Sequence, residues 1–263
     1  MVIIMEYERK YNRQKAIFAG SVSVVLIAIV LVVSFWIGPS MISEKPEKTL
    51  PPETTLPPVE GNLAILDEHL INAIKKQLNI TGEIQKSDME SLEVLDYDAE
   101  TITDLAGLEF AINLKELRLK IDITTIEPIK NLHINKLTFI SDVSVQPLLD
   151  EIKEMKYLRY LDLTDCGVSA VGYISELPML ETLILDNNRI SGLDYVSQMN
   201  TLAVLSLKNC GINSITDLTG NVSIRSLYID NNLIEDISVL DTMLSLSYVT
   251  YDGNPIKDSD SES

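Results

Sequence analysis

Leu180-Glu-Thr-Leu183-Ile-Leu185-Asp-Asn-Asn188-Arg-Ile190-Ser-Gly-Leu193-Asp-Tyr-Val196-Ser-Gln-Met199 decides how the rest of the chain is read. Leu183 and Leu185, two residues apart, share one side of an extended strand. An amide follows at Asn188. From Ile190 the apolar residues come at every third position, a spacing that suits a tight 3₁₀-like segment. The pattern returns every 22 residues at Leu158, Leu180, Leu202, Ile224 and Leu246. The second column is Leu161, Leu183, Leu205, Leu227 and Val249, and the third is Leu163, Leu185, Leu207, Ile229 and Tyr251. A later column reads Val168, Ile190, Ile212, Ile234 and Ile256.

Upstream the pattern continues with less regularity. Units begin at Leu92 and Leu114, a degenerate one begins near Ile134, and the regular series begins at Leu158. The steps are 22, 20 and 24 residues, so the irregularity sums back to two periods. That makes eight units over residues 92–256. A period of about 20–29 residues with this pattern signals a leucine-rich repeat. No single unit can bury its apolar stripe, but stacked units bury it against one another. The expected fold is an α/β solenoid with short parallel strands on a concave face and 3₁₀ or irregular segments on the convex face. Strands at about 4.8 Å spacing give an array roughly 35–40 Å long.

The ninth position of the regular units reads Cys166, Asn188, Cys210, Asn232 and Asn254. An amide there can satisfy backbone groups of adjacent turns where the chain leaves the strand. These five residues are therefore expected to form a structural ladder. Cys166 and Cys210 lie two units apart, about 10 Å, beyond disulfide reach. Both are expected to be buried free thiols without a redox or metal role.

A solenoid needs caps. In residues 62–91, Leu63, Leu66, Leu70, Ile74 and Leu78 fall at helical spacing, with Asp67, Glu68, Lys75 and Lys76 off that face. Thr81-Gly82 is expected to stop this helix, and Ser87-Asp88 to start a short second one. The other end closes with Asp252-Gly-Asn254-Pro-Ile256 and an acidic tail, residues 257–263. Tyr251 takes an inward position there, where its ring covers the core and its hydroxyl reaches water. This end is expected to be partly open.

Residues 16–38 carry no charge. As a helix they cover roughly 34 Å, enough to cross a bilayer. Trp36 sits at the far end, suited to an interface. The apolar core is longer than that of a cleaved signal peptide, the competing reading. Arg9, Lys10, Arg13 and Lys15 precede it, against Lys45 and Lys48 beyond it. The positive-inside rule then places residues 1–15 as a cytoplasmic tail and everything after the span outside the cell. The localisation expected is a single-pass cell-membrane protein with an extracellular repeat domain. Residues 39–61, with Pro39, Pro46, Pro51, Pro52, Pro57 and Pro58, read as an extended linker reaching about 65 Å.

The segment 62–90 followed by Ile102-Thr-Asp-Leu105-Ala-Gly-Leu108-Glu-Phe-Ala-Ile-Asn-Leu114-Lys-Glu-Leu117 resembles the cap and first repeats of internalins, bacterial surface proteins. The 22-residue units are similar too, and the resemblance covers roughly residues 62–256. It implies protein binding through the concave strand face. The chain departs from the adhesins of that family. An N-terminal anchor is expected here where they carry a cleaved signal, and residues 257–263 read as neither a cell-wall sorting motif nor the start of an immunoglobulin-like domain. Those departures bear on host-cell adhesion and leave the binding-module reading intact.

The formal net charge is −18, with +2 in residues 1–15 and −20 in the rest. Such an acidic chain lacks the clustered Lys and Arg that a nucleic-acid partner needs. On the concave face, tyrosines and aspartates dominate the later units. Exposed tyrosine is a favourable interface residue. The candidate protein-binding patch is Tyr160, Ile184, Tyr228 and Tyr248 with Asp162, Asp186, Asp230 and Asp252. The alternative is a solvated strand face. Asp186 and Asp230, two units apart, are too distant to share a calcium ion. The histidines, His69 and His133, belong to no recognisable catalytic motif, and no phosphate loop or cofactor motif occurs. Catalysis is not expected. The function read here is an extracellular interaction module. The alternative is an architectural or regulatory accessory subunit of another membrane protein, acting through the span.

Overall fold

The computed structural model describes Leu56 and residues 61–257. The span 16–38, the tail before it, nearly all of the 39–61 linker and residues 258–263 lie outside the described residues. Among the described residues no helix is long and apolar enough to cross a membrane.

Eight strands form one sheet in sequence order. They are β1 (Val94–Ile102), β2 (Glu116–Ile121), β3 (Lys136–Ile140), β4 (Tyr160–Asp162), β5 (Thr182–Ile184), β6 (Val204–Ser206), β7 (Ser226–Tyr228) and β8 (Tyr248–Thr250). Every neighbouring pair is parallel. Leu95, Leu117, Leu137, Leu161, Leu183, Leu205, Leu227 and Val249 stand at equivalent register positions. The first seven of these leucines are 0–1% exposed. Removing each such side chain from water favours folding by about 1.5–3 kcal/mol, before entropy opposes it. Short 3₁₀ segments follow the strands, among them Gly172–Glu176, Asp194–Gln198 and Ser238–Thr242. Ile174, Val196 and Leu240 turn inward from them.

The irregular units resolve without disturbing the sheet. Lys136 pairs with Glu116, a step of 20, and Tyr160 with Lys136, a step of 24. The longer unit places its extra residues outside the sheet, as a 3₁₀ turn Gln146–Leu148 running into one helical turn, α3 (Leu149–Ile152). Unit length therefore varies away from the strands.

Before the sheet lie α1 (Glu68–Leu78) and α2 (Lys86–Glu90). The helical spacing over-extends α1 at both ends. Asp67 is its N-cap, accepting from the Leu70 N–H at 2.9 Å. Leu63 and Leu66 therefore precede the helix, and Leu66 is 74% exposed. At the other end Asn79 adopts the left-handed conformation and donates to Lys75 and Lys76, stopping the helix before Thr81-Gly82. Leu70, Ala73 and Ile74 are buried and join the core with Leu95. The other Asp67 oxygen accepts from the Thr103 N–H at 2.7 Å and the Thr103 hydroxyl at 2.8 Å, tying the helix start to the end of β1. Burial opposes the charge on Asp67, but the N–H donors of Thr103 and Leu70 outweigh it and hold the carboxyl below its ordinary pKa. Leu56 lines a recess with Ile112, Pro128 and Leu132.

At the opposite end Leu246, Val249, Tyr251 and Ile256 are only half-buried. Leu244 is 87% exposed and Leu233 59%.

Candidate protein-binding face

The candidate face is set by how each chain turn leaves its strand. In the five regular units the eighth position is left-handed: Asp165, Asn187, Asn209, Asn231 and Gly253 all have positive φ. Asn and Asp tolerate that conformation, and glycine adopts it freely. A Cβ on Gly253 would stand 2.4 Å from the Asn231 Oδ1. This column escaped the sequence reading, which gave the eighth position no role. Its signal was present as an Asp, Asn or Gly before each ladder residue.

The ladder follows at the ninth position. Asn188 donates to the carbonyls of Leu163 and Leu185, both at 2.8 Å, and accepts from the Val168 N–H at 2.8 Å. Asn232 donates to Leu207 and Ile229 and accepts from the N–H groups of Cys210 and Ile212. Asn254 repeats the pattern with Ile229, Tyr251 and Ile234. The cysteines supply the donor half. The Cys210 thiol points at the Leu185 carbonyl at 3.1 Å, and Cys166 at Phe139 at 3.3 Å. Both thiols are buried and free. Burial pushes Cys166 up to about 12 and Cys210 up to about 11, so neither is a nucleophile at neutral pH.

The first three units lack this device. Their ninth positions are Glu100, Asp122 and Asp142, and their eighth are Ala99, Ile121 and Ser141. Their strands run on for nine, six and five residues, against three in each later unit. In β1 the chain passes Glu100 still extended, and Ile102 pairs with Ile121 after a register irregularity. Ser141 partly substitutes for an amide: its buried hydroxyl donates to the Ile121 carbonyl at 3.0 Å.

The outward strand residues form columns. Val94, Glu116, Lys136, Tyr160, Thr182, Val204, Ser226 and Tyr248 share one register position. Asp96, Arg118, Thr138, Asp162, Ile184, Ser206, Tyr228 and Thr250 share another. The structure thus brings Tyr228 and Tyr248 together, with ring centroids 5.5 Å apart. Tyr160 stands apart on β4, with the Lys136 ammonium 5.3 Å from its ring centre. Burial and the neighbouring Asp162 raise the Tyr160 pKa, so its hydroxyl stays protonated.

The aspartates are less available than their spacing implied. Asp162 accepts from the hydroxyl and N–H of Thr164 within its own unit. Asp186 reaches the next unit, accepting from the Ser206 hydroxyl at 2.6 Å and the Lys208 N–H at 2.8 Å. Asp230 does the same with Thr250 and the Asp252 N–H. Asp186 and Asp230 are therefore rung-to-rung fasteners as well as surface charges. Asp252, on the last strand's exit, is exposed. Among the described residues no group of three or more His, Cys, Asp or Glu is placed to hold a metal ion.

Charge divides the face. On β1–β3 and their exits, Asp96, Asp98 and Glu116 meet Arg118, Lys120 and Lys136. Arg118 bonds Asp96 at 2.8 Å and Asp98 at 2.9 Å, which raises its pKa, while Lys136 lies 3.3 Å from Glu116 and Lys120 3.2 Å from Asp142. On β4–β8 and their exits, four carboxylates face one ammonium, Lys208, which lies 3.8 Å from Asp230 and 5.0 Å over the Tyr228 ring.

This architecture matches solved structures. Internalin InlF from Listeria monocytogenes superposes with a TM-score of 0.64 and 27% identity, over 73% of this chain and 58% of that one. Internalin C2 from the same organism gives 0.66 and 28%, over 74% of this chain and 87% of that one. The chain is an internalin-like leucine-rich-repeat protein. A leucine-rich-repeat protein of Leptospira interrogans shares the fold at 21% identity and a TM-score of 0.56, over 65% of this chain and 46% of that one. The internalin-like chain spans little more than half of the InlF structure. No protein-family model matches its sequence, and no curated protein matches it significantly.

Proposed function

We propose that this internalin-like chain is a membrane-anchored, extracellular module that binds a protein partner through its strand face and performs no catalysis. The observation that carries the binding reading is the contrast between the two sides of each strand. The inward leucines of β4–β7 are sealed, while the outward side of β4–β8 sets three tyrosines among smaller residues, with Tyr248 41% exposed. Tyrosines combine large contact area with little entropy to lose, which makes them frequent hot-spot residues. Leucine-rich solenoids use this side as an extended binding surface. The anchor and its orientation rest on residues 16–38 and on the basic flank Arg9, Lys10, Arg13 and Lys15. That span also supports the second reading, an architectural or regulatory accessory subunit of another membrane protein.

Photo-cross-linking on intact cells tests this reading. A photoreactive residue replacing Tyr228 should capture a discrete protein adduct, and one replacing the outer-side residue Tyr195 should not. Equal capture from both positions defeats the strand-face reading. Protease shaving of intact cells should remove residues 61–263, and their survival defeats the topology. Exchanging the span for an unrelated one should leave the adduct intact, whereas its loss favours the accessory subunit.

A further inference from the structure

We infer that the strand face of β4–β8 recognises a projecting protein segment that carries lysine or arginine, and that β1–β3 take little part. The inference rests on the strand-face reading above and adds the chemistry of the partner.

The floor of this region is low. Thr182, Ile184, Val204 and Ser206 occupy the outward positions of β5 and β6. Larger side chains stand on either side, Tyr160 on β4 and Tyr228 with Tyr248 on β7 and β8. Three strand spacings separate β4 from β7, about 14 Å, which admits a projecting loop or the 10–12 Å width of a helix. The trough is apolar and hydroxyl-lined at the base and aromatic at both edges.

Electrostatics then selects the occupant. On β1–β3 the cations outnumber nothing: each is already held by a carboxylate of the same face or its rim. A charged partner gains little there, because it would have to displace existing pairs. Around the trough four carboxylates stand against two ammonium groups, Lys208 and, at the Tyr160 edge, Lys136, which Glu116 already holds. Asp162 and Asp186 are satisfied by neutral donors, which leaves their negative charge unneutralised. The tyrosine rings already serve as seats for ammonium groups, Tyr160 for Lys136 at 5.3 Å and Tyr228 for Lys208 at 5.0 Å. The carboxylates and the more open ring of Tyr248, 41% exposed, suit a partner's cation in the same way, through charge attraction and cation–π contact. An acidic segment would meet an excess of like charge, four carboxylates against two ammonium groups, which suppresses wrong partners.

Selection of loop-constrained random peptides displayed on phage, using the full chain as bait, tests this directly. Peptides retained by the wild-type chain and lost on Tyr228→Ala/Tyr248→Ala should be enriched in Lys or Arg. Their affinity should fall roughly fivefold to tenfold on Asp162→Asn/Asp252→Asn, and also as salt rises toward 0.5 M. Arg118→Ala should leave it unchanged. Thermal melting of each variant reports that it still folds, and Asp162→Asn keeps an oxygen for Thr164. Face-dependent peptides that are neutral or acidic overturn the charge inference and leave the strand-face reading standing. Peptides indifferent to Tyr228 and Tyr248, or no enrichment at all, overturn the charge inference and count against that reading as well.

Discussion

The first three rungs and the last five solve the same problem by different means. In β4–β8 a left-handed Asp, Asn or Gly followed by Asn or Cys turns the chain after three strand residues, and the side chain bridges to the preceding rung. In β1–β3 neither residue is present, the strands run longer, and extra main-chain pairing such as Ile102 with Ile121 takes the place of the amide. The first rungs are closed by a helix that Asp67 fastens to Thr103, whereas the last rung leaves Leu246, Val249 and Ile256 half-buried. A regular ladder fixes identical turns, and a cap tolerates irregular ones. The difference teaches that repeat regularity matters most where no other element supports the turn.

The largest test of that contrast is Asn232→Ala. It strips the partner from the Leu207 carbonyl and from the Cys210 and Ile212 N–H groups inside the stack, while the Ile229 carbonyl keeps the Asn254 amide. Each orphaned buried group costs about 1–3 kcal/mol, so a loss of roughly 3–5 kcal/mol is expected in urea denaturation. The equivalent change in the second unit, Asp122→Ala, concerns an exposed side chain and should cost less than about 0.5 kcal/mol. Similar losses at the two positions would erase the distinction.

Next comes the helix latch. Asp67→Ala removes an N-cap bond and two bonds to Thr103, an expected loss of about 2–3 kcal/mol. Because the folded pKa lies below that of the unfolded chain, this contribution is complete at neutral pH. It fades as pH falls through the folded value, below the ordinary 3.8. Melting temperatures of wild type and variant should therefore converge in strong acid. A gap that stays constant with pH would show that the carboxylate charge is not what fastens the helix.

The smallest effect is expected at Arg118. Its two bonds to Asp96 and Asp98 are exposed, and surface pairs contribute only about 0–1 kcal/mol. Arg118→Ala should shift the midpoint slightly, and less in high salt. A loss above about 2 kcal/mol would mean that the first rungs depend on side-chain bridges after all.

Much of this was legible from residues. The 22-residue columns led to the strands and their register, because a two-residue alternation admits one inward face. The cysteine–asparagine alternation led to the buried thiols. Three things were not legible. The start of α1 was misplaced because Leu63 and Leu66 fit a helical face, yet Asp67 caps the helix and leaves them outside it. The length of β1 was hidden because Ile102 occupies the column that later units use after their turn. The aspartates of the candidate patch looked free because sequence shows the column and not the hydroxyl beside it, Ser206 for Asp186 and Thr250 for Asp230.

The 20-residue unit beside the 24-residue one carries a wider consequence. Insertions and deletions are absorbed on the outer bank of the coil, where α3 and the 3₁₀ turns lie, and the spacing that a visiting molecule would measure stays constant. A change of length along that bank thus leaves the pitch of the ribbon unaltered.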